Sequence, residues 1–146
     1  MKMKMDYITD PGLETERIEF TVLEDCNLMY FLVSDSSYRH EKYISNHVLQ
    51  THWFQPCDVR QHDHVILYTR KGQDTVQRKG HNFIYTFYRN LENPVWASRD
   101  AAVLFELSGW RTLHKDTPPP APKKNWLAAL FSKKTTRKTK PVVTPS

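Results

Sequence analysis

The chain has 146 residues, enough for one domain and an appendage. Its 39% apolar content is low for a chain packed throughout, and four glycines leave no room for a glycine-rich phosphate loop. The net charge of +5 is uneven: residues 1–116 hold 14 Lys and Arg against 16 Asp and Glu, and residues 117–146 hold seven Lys and Arg and no acid, so a basic nucleic-acid-binding body is excluded.

Residues 1–16 hold few apolar positions and the turn signal Asp10-Pro11-Gly12, and they predict an N-terminal arm. Residues 17–25 alternate, with Ile18, Phe20 and Val22 on one face, and predict a half-buried strand. The apolar run 28–33 predicts a buried strand ending at Ser34-Asp35-Ser36-Ser37. A strand is expected within 46–54, ended by Pro56, and another at 65–69. The polar stretch 73–80 predicts a loop. Residues 82–88 place bulky side chains on both faces of a strand. Residues 101–107 predict a strand that pairs with 110–114 as a hairpin. About seven short strands with no helical period predict an all-β domain over 17–116.

At residue 117 the composition changes. Pro118-Pro119-Pro120-Ala121-Pro122 predicts a stiff polyproline II spacer. Beyond it Trp126, Leu127, Leu130 and Phe131 form one stripe on a short amphipathic helix, with Asn125 as N-cap. Lys123, Lys124, Lys133 and Lys134 flank that stripe, and Arg137, Lys138 and Lys140 follow in a segment expected to be disordered. A helix this short folds only against something. An anionic membrane, a groove on a protein partner and nucleic acid all fit it, as does docking on its own domain.

No catalytic constellation is legible. No serine sits in a nucleophile elbow, and Cys57 follows Pro56 without a helix start to activate it. Cys26 and Cys57 are two isolated thiols, too few for a zinc site and expected to be reduced and buried. His62 and His64 share a face two residues apart, and with His47 or His52 they are the metal candidate. Surface imidazoles near a turn explain the same pattern, so no metal and no cofactor is expected. Trp96 and Trp110 are expected in the core or at a sheet edge. The start Met1-Lys2-Met3-Lys4-Met5-Asp6 has no apolar leader and no run is long enough to span a bilayer, so a cytoplasmic location is expected, with a membrane-peripheral one open to the tail.

Two stretches resemble one family. The first is His62-Asp63-His64-Val65-Ile66-Leu67-Tyr68-Thr69. The second runs from Pro94-Val95-Trp96 through Asp100-Ala101-Ala102-Val103-Leu104-Phe105 to Ser108-Gly109. With the aromatic strand between them they resemble lamin-tail domains over roughly residues 18–115. His62 and Arg99 stand where that family has glycine. The resemblance implies an immunoglobulin-like β-sandwich, no enzyme activity, and a structural or adhesive role. It makes Asp63, Asp100 and Gly109 turn residues. The function expected is thus a non-enzymatic interaction module whose basic amphipathic tail tethers it, through residues 123–134, to a protein partner or an anionic membrane, with no small-molecule substrate. Nucleic-acid binding through the tail is the alternative. A small metal-dependent hydrolase built on His52, His62, His64 and Asp63 is the third reading.

Overall fold

In a computed structural model of the chain, residues 1–39, 43–44, 49–96 and 100–121 are described. The described residues form an all-β structure of several sheets: β1 (Met3–Thr9), β2 (Arg17–Val22), β3 (Cys26–Asn27), β4 (Phe31–Arg39), β5 (Tyr43–Ile44), β6 (Thr51–Trp53), β7 (Asp58–Val59), β8 (His64–Tyr68), β9 (Thr75–Lys79), β10 (Asn82–Tyr88) and β11 (Asp100–Glu106). The chain divides into two units, Met1–Trp110 and Arg111–Ser146. The expected tail helix and the tail residues Lys123, Lys124, Trp126, Leu127, Leu130, Phe131, Lys133, Lys134, Arg137, Lys138 and Lys140 lie outside the described residues.

The alternation that predicts β2 also sets the first sheet, whose order is β1-β2-β8-β10-β9. Because side chains alternate along a strand, register sorts them into cross-strand rows. Met5, Phe20, Val65 and Tyr85 align on one face, as do Ile8, Ile18, Leu67 and Phe87. These rows look into the core. Lys4, Thr21, His64 and Ile84 align on the other face, and so do Tyr7, Glu19, Ile66 and Thr86. The second sheet joins β11, β4 and β5, with β6 also on β4. Its inward residues Phe31, Val33 and Leu104 enter the same buried cluster, and Phe54 meets the rings of Phe20 and Phe87 edge-on.

Residues 1–16 are not an arm. Met3–Thr9 pairs along β2, and Met3 is fully buried. A register shift between Met5 and Tyr7 breaks the alternation there, so the sequence shows no clean period of two. The loop expected at 73–80 holds β9, an edge strand antiparallel to β10 with every side chain exposed, which leaves it no apolar face to announce it. The expected hairpin between 101–107 and 110–114 is absent: β11 pairs with β4, from Asp100 opposite Ser37 to Glu106 opposite Phe31. Leu28–Tyr30 is a single 3-10 turn rather than the start of a strand, because the Asn27 side chain accepts from the Met29 N–H. Six of the seven expected strands are present, and the strands at 3–9, 26–27, 43–44, 58–59 and 75–79 bring the described total to eleven.

Two buried carboxylates fix the connections. Glu16 is fully buried and accepts four hydrogen bonds, from the Gly12 N–H at 2.7 Å, the Thr69 hydroxyl at 2.7 Å, the Val95 N–H at 2.8 Å and the Trp96 N–H at 3.1 Å. It thereby joins the turn after β1, the end of β8 and the segment that carries Trp96. Asp63 accepts from the Arg60 N–H at 2.9 Å and the Phe83 N–H at 2.8 Å, closing the turn before β8 and holding the start of β10. Beside it His62 takes a φ of 74°, the left-handed region that favours glycine.

Glu16→Ala should lower the unfolding free energy by about 3 kcal/mol or more, because it strands buried donors that cost roughly 1–3 kcal/mol each. Glu16→Gln keeps the shape but turns an amide N–H₂ toward at least one backbone N–H, and should fall between Ala and the native residue. Urea denaturation checks both; native-like stability of Glu16→Ala would disprove the assignment.

Candidate functional site

The outward face of the second sheet follows from its register. Val33 and Leu104 are opposite each other and inward, so their neighbours Leu32 and Phe105, which are also opposite each other, point outward. Leu32 pairs in turn with Trp53 of β6. One cross-strand row thus reads Phe105, Leu32, Trp53. Tyr30 ends the 3-10 turn that enters β4, and its carbonyl accepts from the Leu107 N–H at 2.7 Å, which brings the chain after β11 back beside it.

That return places Trp110 between two rings. Its centroid is 5.5 Å from Tyr30 with planes at 64°, and 5.0 Å from Trp53 with planes at 88°. Both are edge-to-face contacts, the arrangement that the ring quadrupole favours. The Trp53 indole N–H donates to the Met29 carbonyl at 2.7 Å, which fixes its orientation. Yet Tyr30, Trp53, Phe105 and Trp110 remain 43%, 40%, 36% and 38% exposed. Rigid aromatic surface left in water on one sheet face is the form that interaction sites take.

The polar candidates are placed elsewhere and apart. His62 and His64 sit in and after the turn before β8, both exposed, on the first sheet. His52 belongs to β6 of the second sheet, where its ring meets Phe54 at 4.8 Å, and His47 lies outside the described residues. Among the described residues no group of three or more His, Cys, Asp and Glu is placed to share a metal ion. Cys26 and Cys57 are free and half-buried on adjoining segments, and burial pushes both thiols up, Cys26 to about 11, so neither is an activated nucleophile. Asp63 is committed to its two N–H partners, as above. Asp100 opens β11, and residues 97–99 before it lie outside the described residues. Gly109 has no left-handed φ, and a Cβ there would meet nothing within 4 Å, so no geometry demands glycine at that position.

A second aromatic group lies on the outer face of the first sheet. Tyr68 and Tyr88 stack at 5.2 Å, with the Arg70 and Arg17 guanidiniums 5.0 and 5.7 Å from the Tyr68 ring. Arg17 is bound to Glu19 and Asp10, and a Cβ on Gly72 would run into the Tyr88 ring. These rings are covered by their neighbours, unlike the set around Trp110.

Of the two tryptophans singled out by sequence, Trp96 is fully buried and Trp110 is exposed. Tyr30, Trp53 and Phe105 are the residues that sequence reasoning passed over. The one available signal was the run His52-Trp53-Phe54, where bulky side chains on both faces of a strand mean that one face cannot be core.

The inward side of β6 gives a pH dependence. Burial, followed by the Arg89 guanidinium, lowers the His52 pKa from 6.5 to about 4. Between those values the unfolded chain takes up a proton that the folded chain does not, so stability falls as pH falls from 6.5 toward 4. His52→Phe should flatten the slope of unfolding free energy against pH in this window by up to about 1.4 kcal/mol per pH unit. Identical slopes for both proteins in urea titrations would refute this. No family model, no curated protein and no solved structure matches the chain.

Proposed function

We propose that the chain is a non-enzymatic interaction module that holds a protein partner on the aromatic face of its second sheet. The exposed Trp53–Trp110–Tyr30 cluster carries this reading. Trp and Tyr offer large contact area with few rotamers to freeze, which is why they dominate binding hot spots. In this proposal the fold is an immunoglobulin-like β-sandwich of the lamin-tail kind. The two sheets that share one buried cluster, and the left-handed His62 ahead of the capping Asp63, support that assignment. The basic segment 123–134 serves as a tether that adds to the affinity of the face. A protein partner is favoured over an anionic membrane because the aromatic rings pack edge-to-face into a fixed relief, which suits a shaped surface better than a fluid one.

A photo-crosslinking residue at position 105, compared with one at position 77 on β9, tests the face in cells. Crosslinks to a partner should form from 105, should not form from 77, and should disappear in a Trp53→Ser, Trp110→Ser double variant that melts within a few degrees of the native chain. Equal crosslinking from both positions, or crosslinking that survives the double variant, would overturn the proposal. Sedimentation with phosphatidylserine vesicles, lost on truncation after residue 116, would assign the tail to membrane. Steep salt dependence of binding to nucleic acid would assign it there.

A further inference from the structure

A different surface, independent of the aromatic face, is the open edge of β11. Strand β11 ends its sheet, and among the described residues no strand lies on its far side. The direction of its backbone groups follows from the pairing. Leu107 donates its N–H to Tyr30, and hydrogen-bonded pairs alternate along an antiparallel ladder. Residues 101, 103 and 105 therefore turn their N–H and C=O toward β4. Asp100, Ala102, Leu104 and Glu106 turn theirs toward the open side.

The two edges of the first sheet are guarded. On β9 all side chains are exposed and Arg78 and Lys79 lie on the strand, a charged edge of the kind that resists pairing. Strand β1 carries the register shift at Asp6, with Lys4 bound to Asp6 at 3.1 Å. Strand β11 has five uncharged residues in a row, Ala101 to Phe105, and no shift in its register.

A cleft lies beside the start of this edge, at residues 100–102. At one end β1 and β11 are joined, because the Lys2 N–H donates to Glu106 at 3.3 Å and the N-terminal ammonium is 3.7 Å from the same carboxylate. Toward the other end a cavity of about 220 Å³ opens between Met5, Ile8 and Ile18 on one side and Asp100, Ala101 and Ala102 on the other. Its floor is apolar. Among the described residues its charged lining is Asp6 and Asp100, with no cation.

We propose that this edge and cleft accept an extended basic peptide segment of a partner, which adds to β11 as a strand. Main-chain bonds to Ala102 and Leu104 supply the register. Alternate side chains of the peptide point into the cleft. One apolar side chain fills the cavity beside Ala102, and a Lys or Arg two residues away lies opposite Asp100. A second copy of the chain fits less well. Antiparallel pairing of the whole strand with itself centres on Val103 and sets Asp100 opposite Glu106 at both ends, a repulsive pair.

The test is NMR titration of the full chain with a capped peptide, acetyl-TKTVTVT-amide, against acetyl-TETVTVT-amide. The lysine peptide should shift the amides of Ala102 and Leu104 and slow their hydrogen exchange; the glutamate peptide should bind about fivefold or more weakly. Asp100→Lys should reverse that order. Ala102→Pro removes an N–H that faces away from β4, so it should leave the sheet intact and abolish binding. No response at millimolar peptide overturns the proposal, as do shifts centred on Trp53 and Trp110 or an unchanged peptide preference in Asp100→Lys. A concentration-dependent dimer lost in Ala102→Pro would give the edge to a second copy and equally overturn it.

Discussion

The carboxylate of Glu16 is the contact on which the rest of the fold depends. A buried carboxylate is tolerable only when its oxygens are satisfied, and here four neutral donors satisfy them, three from the backbone and one from Thr69. None of the three backbone donors belongs to a strand. The side chain therefore does for the turns what ladder hydrogen bonds do for the sheets. It holds the N–H groups of Val95 and Trp96, and so seats the largest fully buried side chain among the described residues.

From Trp96 the restraint passes across the core. The Arg89 guanidinium lies 5.1 Å from the Trp96 ring and pairs with Asp35 of β4 at 2.9 Å, and both charged side chains are almost wholly buried. A buried ion pair adds little net stability, but it tolerates one geometry only, since losing either partner leaves a charge in the core. Its effect is to fix the place of β4 against the end of β10. Strand β4 is also the strand that carries Leu32 and follows Tyr30, so the buried network underneath and the aromatic face on top share one backbone. The face is stiff because of what lies beneath it.

Two of the elements legible in sequence have one wet and one dry face. Strands β2 and β8 alternate because the first sheet buries Ile18, Phe20, Val65 and Leu67 on one side only. Strand β9 has no dry face, and β1 loses its period at Asp6, so neither announced itself. Pairing was less legible than strand identity. Nothing local in 101–107 tells it to join residues almost seventy positions earlier rather than 110–114 just after it, because partner choice is a property of the whole core. The aromatic face was hidden for the same reason. A tryptophan reads as core by default, and only the placing of Leu104 against Val33 shows that Phe105, Leu32 and Trp53 must look outward.

The ties made by Glu16 also span the chain: residue 16 is held by residues 95 and 96, and β4 by β11. On the ribosome the first strands emerge long before the groups that satisfy them. Until residue 96 is available, Glu16 must stay hydrated, and the apolar sides of β2 and β4 have no complete partner surface. Native structure in Met1–Trp110 therefore closes only once residue 96 has been made, and until then Phe20, Phe31 and Phe54 lack their full partner surface. A fold closed by such distant contacts is slow to start, because the loops between them must be ordered before the contacts can form.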